Sequence, residues 1–241
     1  GMKKSQKMLI LSHSSELGGA ERSMIDVFDF WVKRYNIKPV FIIRIPVKEM
    51  EEELKKRDWK YYALHYTNWS QRNPSVRAED KYRNARDNTQ AVFDIEKIIE
   101  KENPDVVMTN TIVSPWAAIA SYFKKKPHIW FVREYGDIDH QHVIEMGRKK
   151  TLQDIDTLSN LVITNSQTLK NHVKKYITKN DITPIYTPFD LELLDRKMQQ
   201  KDINPYRLKQ SLKLVRASLP ATIEILEDID ENAGAIMADP V

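Results

Sequence analysis

The residues best able to do chemistry sit where short apolar runs end. In SSELGGAERS (14–23), Gly18 and Gly19 separate the run MLIL (8–11) from Met24, Val27, Phe28 and Trp31, which share one helical stripe. A strand-to-helix turn is expected there. Glycine permits positive φ and leaves no Cβ between the backbone and an approaching group. The leading amides of the helix point into the same space and favour anions. Gly18, Gly19, Ala20 and Glu21 are therefore candidates to face a negatively charged ligand. A tight turn that needs glycine for its geometry alone is the plainer alternative.

Polar residues recur after other apolar runs. His13 and Ser14 follow MLIL; Thr109, Asn110 and Thr111 follow DVVM; Arg133 and Glu134 follow IWFV; Asn165 and Ser166 follow LVIT. In an open parallel sheet, ligands bind beyond the carboxyl ends of the strands, so this repetition points to a cleft. Each residue singly reads as a cap or turn hydrogen bond. The glycine loop lacks both the G-x-G-x-x-G fingerprint and the Lys-Ser/Thr pair of a P-loop. No pattern singles out a Ser-His-Asp triad. The segment GDIDHQH (136–142) has the donor atoms for a divalent ion, but DID occurs three times in the chain, at 137–139, 154–156 and 228–230. A mobile, solvated loop is the expectation, with no metal.

The elements that must position these residues follow from periodicity. The runs 8–11, 40–43, 105–108, 129–132 and 161–164, with a weaker one at 61–66, are apolar on both faces, as parallel strands covered on both sides are. Helices are expected at 20–34, 47–57, about 77–102, 114–124, about 144–157 and 166–177. The alternation predicts an α/β fold: a doubly wound, mostly parallel Rossmann-like sheet with helices on both faces. The helix at 77–102 carries its apolar face on Val92, Ile95, Ile98 and Ile99; its polar first half is expected to be solvated or frayed. Asn103–Pro104 ends it, and Ser166 is the expected N-cap of the last clear helix. Pro184 and Pro188 mark an exit from the sheet. The pattern changes near Asp190, which predicts a domain over 2–190 and a short C-terminal tail over 191–241, helical to residue 221 and then acidic, with TIEILEDI (222–229) alternating as an exposed strand would.

Composition narrows the classes. The chain has 241 residues, 41% hydrophobic and 30% charged, and no cysteine, which rules out disulfides, thiolate metal sites and cysteine nucleophiles. MLIL is too short for a signal-peptide core and no window approaches a membrane span; a cytoplasmic location is expected. Residues 222–241 hold six acids and no Lys or Arg, leaving the rest with 38 basic against 28 acidic residues, a formal +10. Clusters at Lys124–Lys126, Arg148–Lys150 and Lys174–Lys175 could meet phosphates, anionic lipid headgroups or nucleic acid, or be solvated.

KMLILSHSSELGGAERSMIDVF resembles the start of retaining bacterial glycosyltransferases with two Rossmann-like domains, the GT-B enzymes of family 4. PDVVMTNTIVSPWAAIASYFKKKPHIWFVREYGD and LVITNSQTLKNHV followed by PIYTPFD resemble later blocks of the same first domain, so the likeness covers roughly residues 7 to 190. It implies an acceptor-side domain whose loop, with Gly18, Gly19, Ala20 and Glu21, faces the diphosphate of a nucleotide sugar. It implies an acceptor cleft near His13, Ser14, Asn110, Thr111, Asn165 and Ser166, and a glycan or lipid-linked acceptor. Peripheral contact with an anionic membrane is compatible with it. Nucleic acid is not expected, and no cofactor is implied beyond the nucleotide sugar itself.

Two departures matter. Many family members carry a histidine at the strand end where this sequence has Arg133 and then Glu134. The guanidinium can hold a phosphate or an acceptor carboxylate; alternatively the pair only fixes its loop by an ion contact. The family's donor-binding second domain also has no counterpart after Asp190, which predicts an incomplete hexosyltransferase. The tail KLVRASLPATIEILEDIDENAGAIMADPV resembles the opening of a histidine-kinase ATPase domain, but it breaks off before the asparagine-bearing helix that would bind Mg-ATP. A non-catalytic module that binds an anionic glycan or nucleotide is the alternative to an enzyme.

Overall fold

Runs of Ile, Val, Leu and Phe a few residues long can bury both faces only inside a sheet covered on each side. The computed structural model forms such a sheet. It describes residues 5–12, 19–67, 70–71, 78–110, 114–132, 143–144, 147–164, 167–180, 182–184, 227–230 and 234–237.

The main elements are β1 (Gln6–Leu11), α1 (Gly19–Tyr35), β2 (Ile37–Arg44), α2 (Lys48–Lys56), β3 (Lys60–Leu64), α3 (Ala78–Glu102), β5 (Val106–Thr109), α4 (Trp116–Phe123), β6 (His128–Val132), α5 (Gly147–Leu158), β8 (Leu161–Thr164), α6 (Gln167–Val173) and β9 (Ile182–Pro184). Seven of the strands form one sheet in the order β3-β2-β1-β5-β6-β8-β9. Every pairing in it is parallel. Because β1 lies in the middle and the chain winds outward on both sides, the fold is the α/β, doubly wound Rossmann-like one expected from the sequence.

Alternation along each strand divides the core in two. Met8, Ile10, Phe41, Ile43, Met108 and Phe131 face α1 and α2, where Phe28, Trp31, Met50 and Leu54 meet them. Leu9, Leu11, Ile42, Val107, Trp130 and Val162 face the opposite layer, built from Val92, Ile95 and Ile99 of α3, Trp116–Ala120 of α4, Ile155 of α5 and Val173 of α6. Burying a large apolar side chain is worth about 1.5–3 kcal/mol, so both layers hold the sheet.

Several helices end in the left-handed region without glycine. Asn36, Asp58, Asn103 and Lys125 follow α1, α2, α3 and α4 with φ of 54°, 55°, 43° and 54°. Asn103 thus ends α3 where the sequence placed its end, in a left-handed conformation that asparagine tolerates, and its amide still donates to the Ile99 carbonyl.

Pro184, opposite Thr164, is the last residue of β9, where the sequence placed an exit from the sheet; an edge strand tolerates a proline because its outer side needs no donor. One expectation needs correction. The polar half of α3 is helical from Ala78, and Ala85 and Asn88 within it are buried. In the tail, residues 222–226 of the expected strand lie outside the described residues. Glu227–Asp230 (β10) pairs antiparallel with Gly234–Met237 (β11). The helix expected at 191–221 and the boundary near Asp190 lie outside the described residues.

Candidate active site

All the parallel strands point their carboxyl ends to one edge, and the connectors there lead into α1, α3, α4, α5 and α6. That edge is the candidate site. Gly19 is the first helical residue of α1. Its place at the leading turn leaves its amide among the groups without an intrahelical partner. Gly18, His13, Ser14, Thr111, Arg133, Glu134, Asn165 and Ser166 lie outside the described residues, as does GDIDHQH. Ala20 and Glu21 belong to the first turn of α1. Among the described residues, no group of His, Asp and Glu could hold a metal ion.

Asn110 is where the sequence placed it, one residue past β5 and 1% exposed. Its amide donates to the Leu11 carbonyl at 3.1 Å, so it sits directly beside the exit of β1. Ser12, the last described residue before the glycine connector, is equally buried. Its amide donates to the Ile42 carbonyl at 3.1 Å. Its carbonyl accepts from the Tyr66 hydroxyl at 3.0 Å. Gly19 and Asn110 therefore belong to neighbouring connectors at one edge.

Sequence reasoning missed the layer beneath these residues. After β3 the chain passes under the edge through Tyr66 and Thr67. The Thr67 amide donates to Asn88 Oδ1 at 2.7 Å, and Asn88 Nδ2 donates to Thr67 Oγ1 at 2.8 Å. The Thr67 carbonyl accepts from Trp116 Nε1 at 2.7 Å. A little further on, Ser70–Gln71 (β4) pairs antiparallel with Val143–Ile144 (β7), joining the connectors that follow β3 and β6. Tyr66 is fully enclosed, and burial pushes its phenol well above the usual range while the nearby Arg44 charge opposes this only in part. The hydroxyl stays a donor at any working pH. These partners lie 54 and 49 residues apart for Tyr66–Ser12 and Trp116–Thr67, beyond the reach of any local pattern.

A second buried polar group lies deeper. Thr109 Oγ1 is 2.7 Å from His128 Nε2, and His128 Nδ1 is 2.9 Å from Ser159 Oγ. Asn160 and His128 also bond to each other twice: the His128 amide donates to the side-chain Oδ1 of Asn160, and the Asn160 amide donates to the His128 carbonyl. This imidazole joins β5, β6 and the turn before β8 inside the core. It is a structural histidine.

The chain resembles known proteins over most of its length. Residues 17–193 match the family model Glycosyltransferase Family 4. The match stops at 193, so the tail's likeness to a histidine-kinase domain has no counterpart in it. No curated protein matches the chain at a significant level. Among solved structures, the apo lipopolysaccharide outer core galactosyltransferase WaaB is 16% identical, with a TM-score of 0.51, covering 78% of this chain and 46% of its own. A glycosyltransferase from Rickettsia africae is 16% identical with a TM-score of 0.48, covering 92% and 52%. A UDP-GlcNAc 2-epimerase from Neisseria meningitidis bound to UDP-GlcNAc is 18% identical with a TM-score of 0.47, covering 70% and 43%. The chain spans about half the length of these structures. Among the described residues, no helix is long and apolar enough to cross a membrane.

Proposed function

The chain belongs to Glycosyltransferase Family 4, and from that membership we propose that it is the acceptor-side domain of a GT-B enzyme. The reaction would transfer a sugar from a nucleotide diphosphate donor to an acceptor hydroxyl with retention of configuration. The observation that carries the reading is the span of the match. It begins at residue 17, beside the glycine pair and just after β1, and runs through β9, so it takes in Gly19, Asn110 and every strand of the parallel sheet except β1.

In this reading Gly18 and Gly19 present main-chain amides to the donor diphosphate, with Ala20 and Glu21 in the same turn. His13, Ser14, Asn110, Thr111, Asn165 and Ser166 line the acceptor cleft. Arg133 and Glu134, just past β6, are the candidates for contact with the reacting groups. The domain runs to about residue 190. The acceptor is a glycan or a lipid-linked sugar, met in the cytoplasm or at a membrane surface.

The energetics argue that this domain does not catalyse by itself. Stabilising the leaving diphosphate is the main task in such a reaction. A helix N-terminus supplies about 0.3–1 kcal/mol at an exposed site. Enzymatic accelerations begin at about 8 kcal/mol. The remainder has to come from other groups, Arg133, Glu134 and the donor-side half of the enzyme among them.

Calorimetric titration of the 241-residue chain with UDP, GDP and their sugars tests the reading. Weak binding of one nucleotide, with a Kd of about 0.1–1 mM, is expected, with no measurable turnover. Failure to bind any of them would overturn the donor-facing role of the glycine turn. Robust sugar transfer by this chain alone would overturn its assignment as one half of the catalyst.

A further inference from the structure

We infer that Tyr66 and Thr67 form a positioning brace that sets the direction in which the chain leaves β1 for the glycine turn. The proposal rests on the reading of that turn as the nucleotide-facing element.

The brace has a fixed end and a working end. Thr67 is the fixed end. All three of its polar groups are occupied: the amide and hydroxyl by the Asn88 carboxamide of α3, the carbonyl by the Trp116 indole of α4. Asn88 and Trp116 are themselves 2% and 1% exposed, so neither has room to swing. Tyr66, held by its neighbour and packed in the α3–α4 layer, is the working end. Its hydroxyl reaches the carbonyl of Ser12.

Ser12 needs this partner because it lies past the end of β1. The last β1–β2 and β1–β5 register pairs are Leu11 with Ile42 and with Thr109. Beyond them, the Ser12 amide is still held by Ile42 and the Leu11 carbonyl by Asn110. The Ser12 carbonyl has run out of strand, and a buried main-chain carbonyl left unsatisfied is costly. Tyr66 supplies the donor from outside the sheet. The last peptide before the connector to Gly19 is thereby fixed by β2, by the β5 exit and by a side chain anchored on α3 and α4. A ligand that touches amides beyond Ser12 meets a chain whose exit from β1 is already fixed at Ser12, and preorganisation of this kind lowers the cost of binding.

The test compares two tyrosine-to-phenylalanine variants in the full chain. Tyr66→Phe removes only the hydroxyl on Ser12. Tyr62→Phe removes a hydroxyl that serves Glu102, at the far end of α3. Both are expected to stay folded, with modestly lower Tm. Amide hydrogen exchange at Ser12 and Asn110 is expected to speed up roughly 10-fold in Tyr66→Phe, with Val107 and Met108 unchanged. Neither site should change in Tyr62→Phe. UDP affinity is expected to fall about 3- to 10-fold in Tyr66→Phe and to hold in Tyr62→Phe. Unchanged exchange at Ser12, or equal loss of affinity in both variants, would overturn the brace. If the wild-type chain binds no nucleotide, the functional reading fails, and the exchange data alone then decide whether Tyr66 orients the exit of β1.

Discussion

Lys7 Nζ donates to both the carboxylate and the main-chain carbonyl of Glu102, at 3.0 Å each, and so ties the start of β1 to the end of α3. Lys60 Nζ and the Tyr62 hydroxyl complete the shell around this carboxylate, each at 2.5 Å. Burial pulls the Glu102 carboxyl up, but the donors from Lys60, Tyr62 and Lys7 outweigh it and bring the pKa down to about 2. A folded value below the ordinary 4.5 means that the stabilisation is complete above about pH 4.5 and lost as the pH falls towards 2. Glu102→Gln should cost on the order of 2 kcal/mol at neutral pH. The same variant should flatten the loss of stability between pH 4.5 and 2, as followed by denaturant titration. An undiminished acid slope would show that another carboxylate governs it.

Gly19→Val places a branched Cβ at the first helical residue of α1. Valine is no worse than glycine for helix propensity, so the Tm should move by no more than a few degrees. Nucleotide affinity should fall at least 10-fold, because the side chain occupies the approach to the leading amides. Calorimetry on the folded variant checks this. Unaltered affinity would remove the α1 tip from the site.

Thr109→Val keeps the shape of a fully buried side chain and deletes the contact with His128 Nε2. The imidazole then loses this buried contact. The expected cost is about 2 kcal/mol, or roughly 4–8 °C in Tm for a chain of this size. Thr109→Ser, which restores a hydroxyl, should recover most of it. Equal Tm values for the two variants would contradict the role given to the hydroxyl.

Lys125→Gly should be stabilising. Lys125 is exposed and sits at φ 54° after α4, where a Cβ costs about 1 kcal/mol and glycine does not pay it. The greater freedom of glycine in the unfolded chain offsets part of the gain, which leaves a rise of about 0.5 kcal/mol. Lys97→Gly, at an exposed position inside α3, should instead lose about 1 kcal/mol. Thermal melts of the pair, one rising and one falling, would separate the left-handed position from a general effect of glycine.

The sequence by itself determined the alternation of strands and helices, the sheet buried on both faces, and the apolar stripe Val92, Ile95, Ile98 and Ile99 of α3. These are local properties: side-chain direction repeats every two residues in a strand and about every 3.6 in a helix, so neighbouring residues report the buried face. It also placed Asn110 at the carboxyl edge, because the residue after a parallel strand must emerge there. Tertiary structure alone decided that β1 lies between β2 and β5, that β9 forms one edge of the sheet, and that β4 pairs with β7. It alone brought Tyr66 to Ser12, Trp116 to Thr67 and His128 between Thr109 and Ser159. Hydroxyls, amides and indoles are common along the chain, and each can bond many partners. Which pair meets is settled only when distant segments are packed together and each buried polar atom must find the donor or acceptor that the packing has placed beside it.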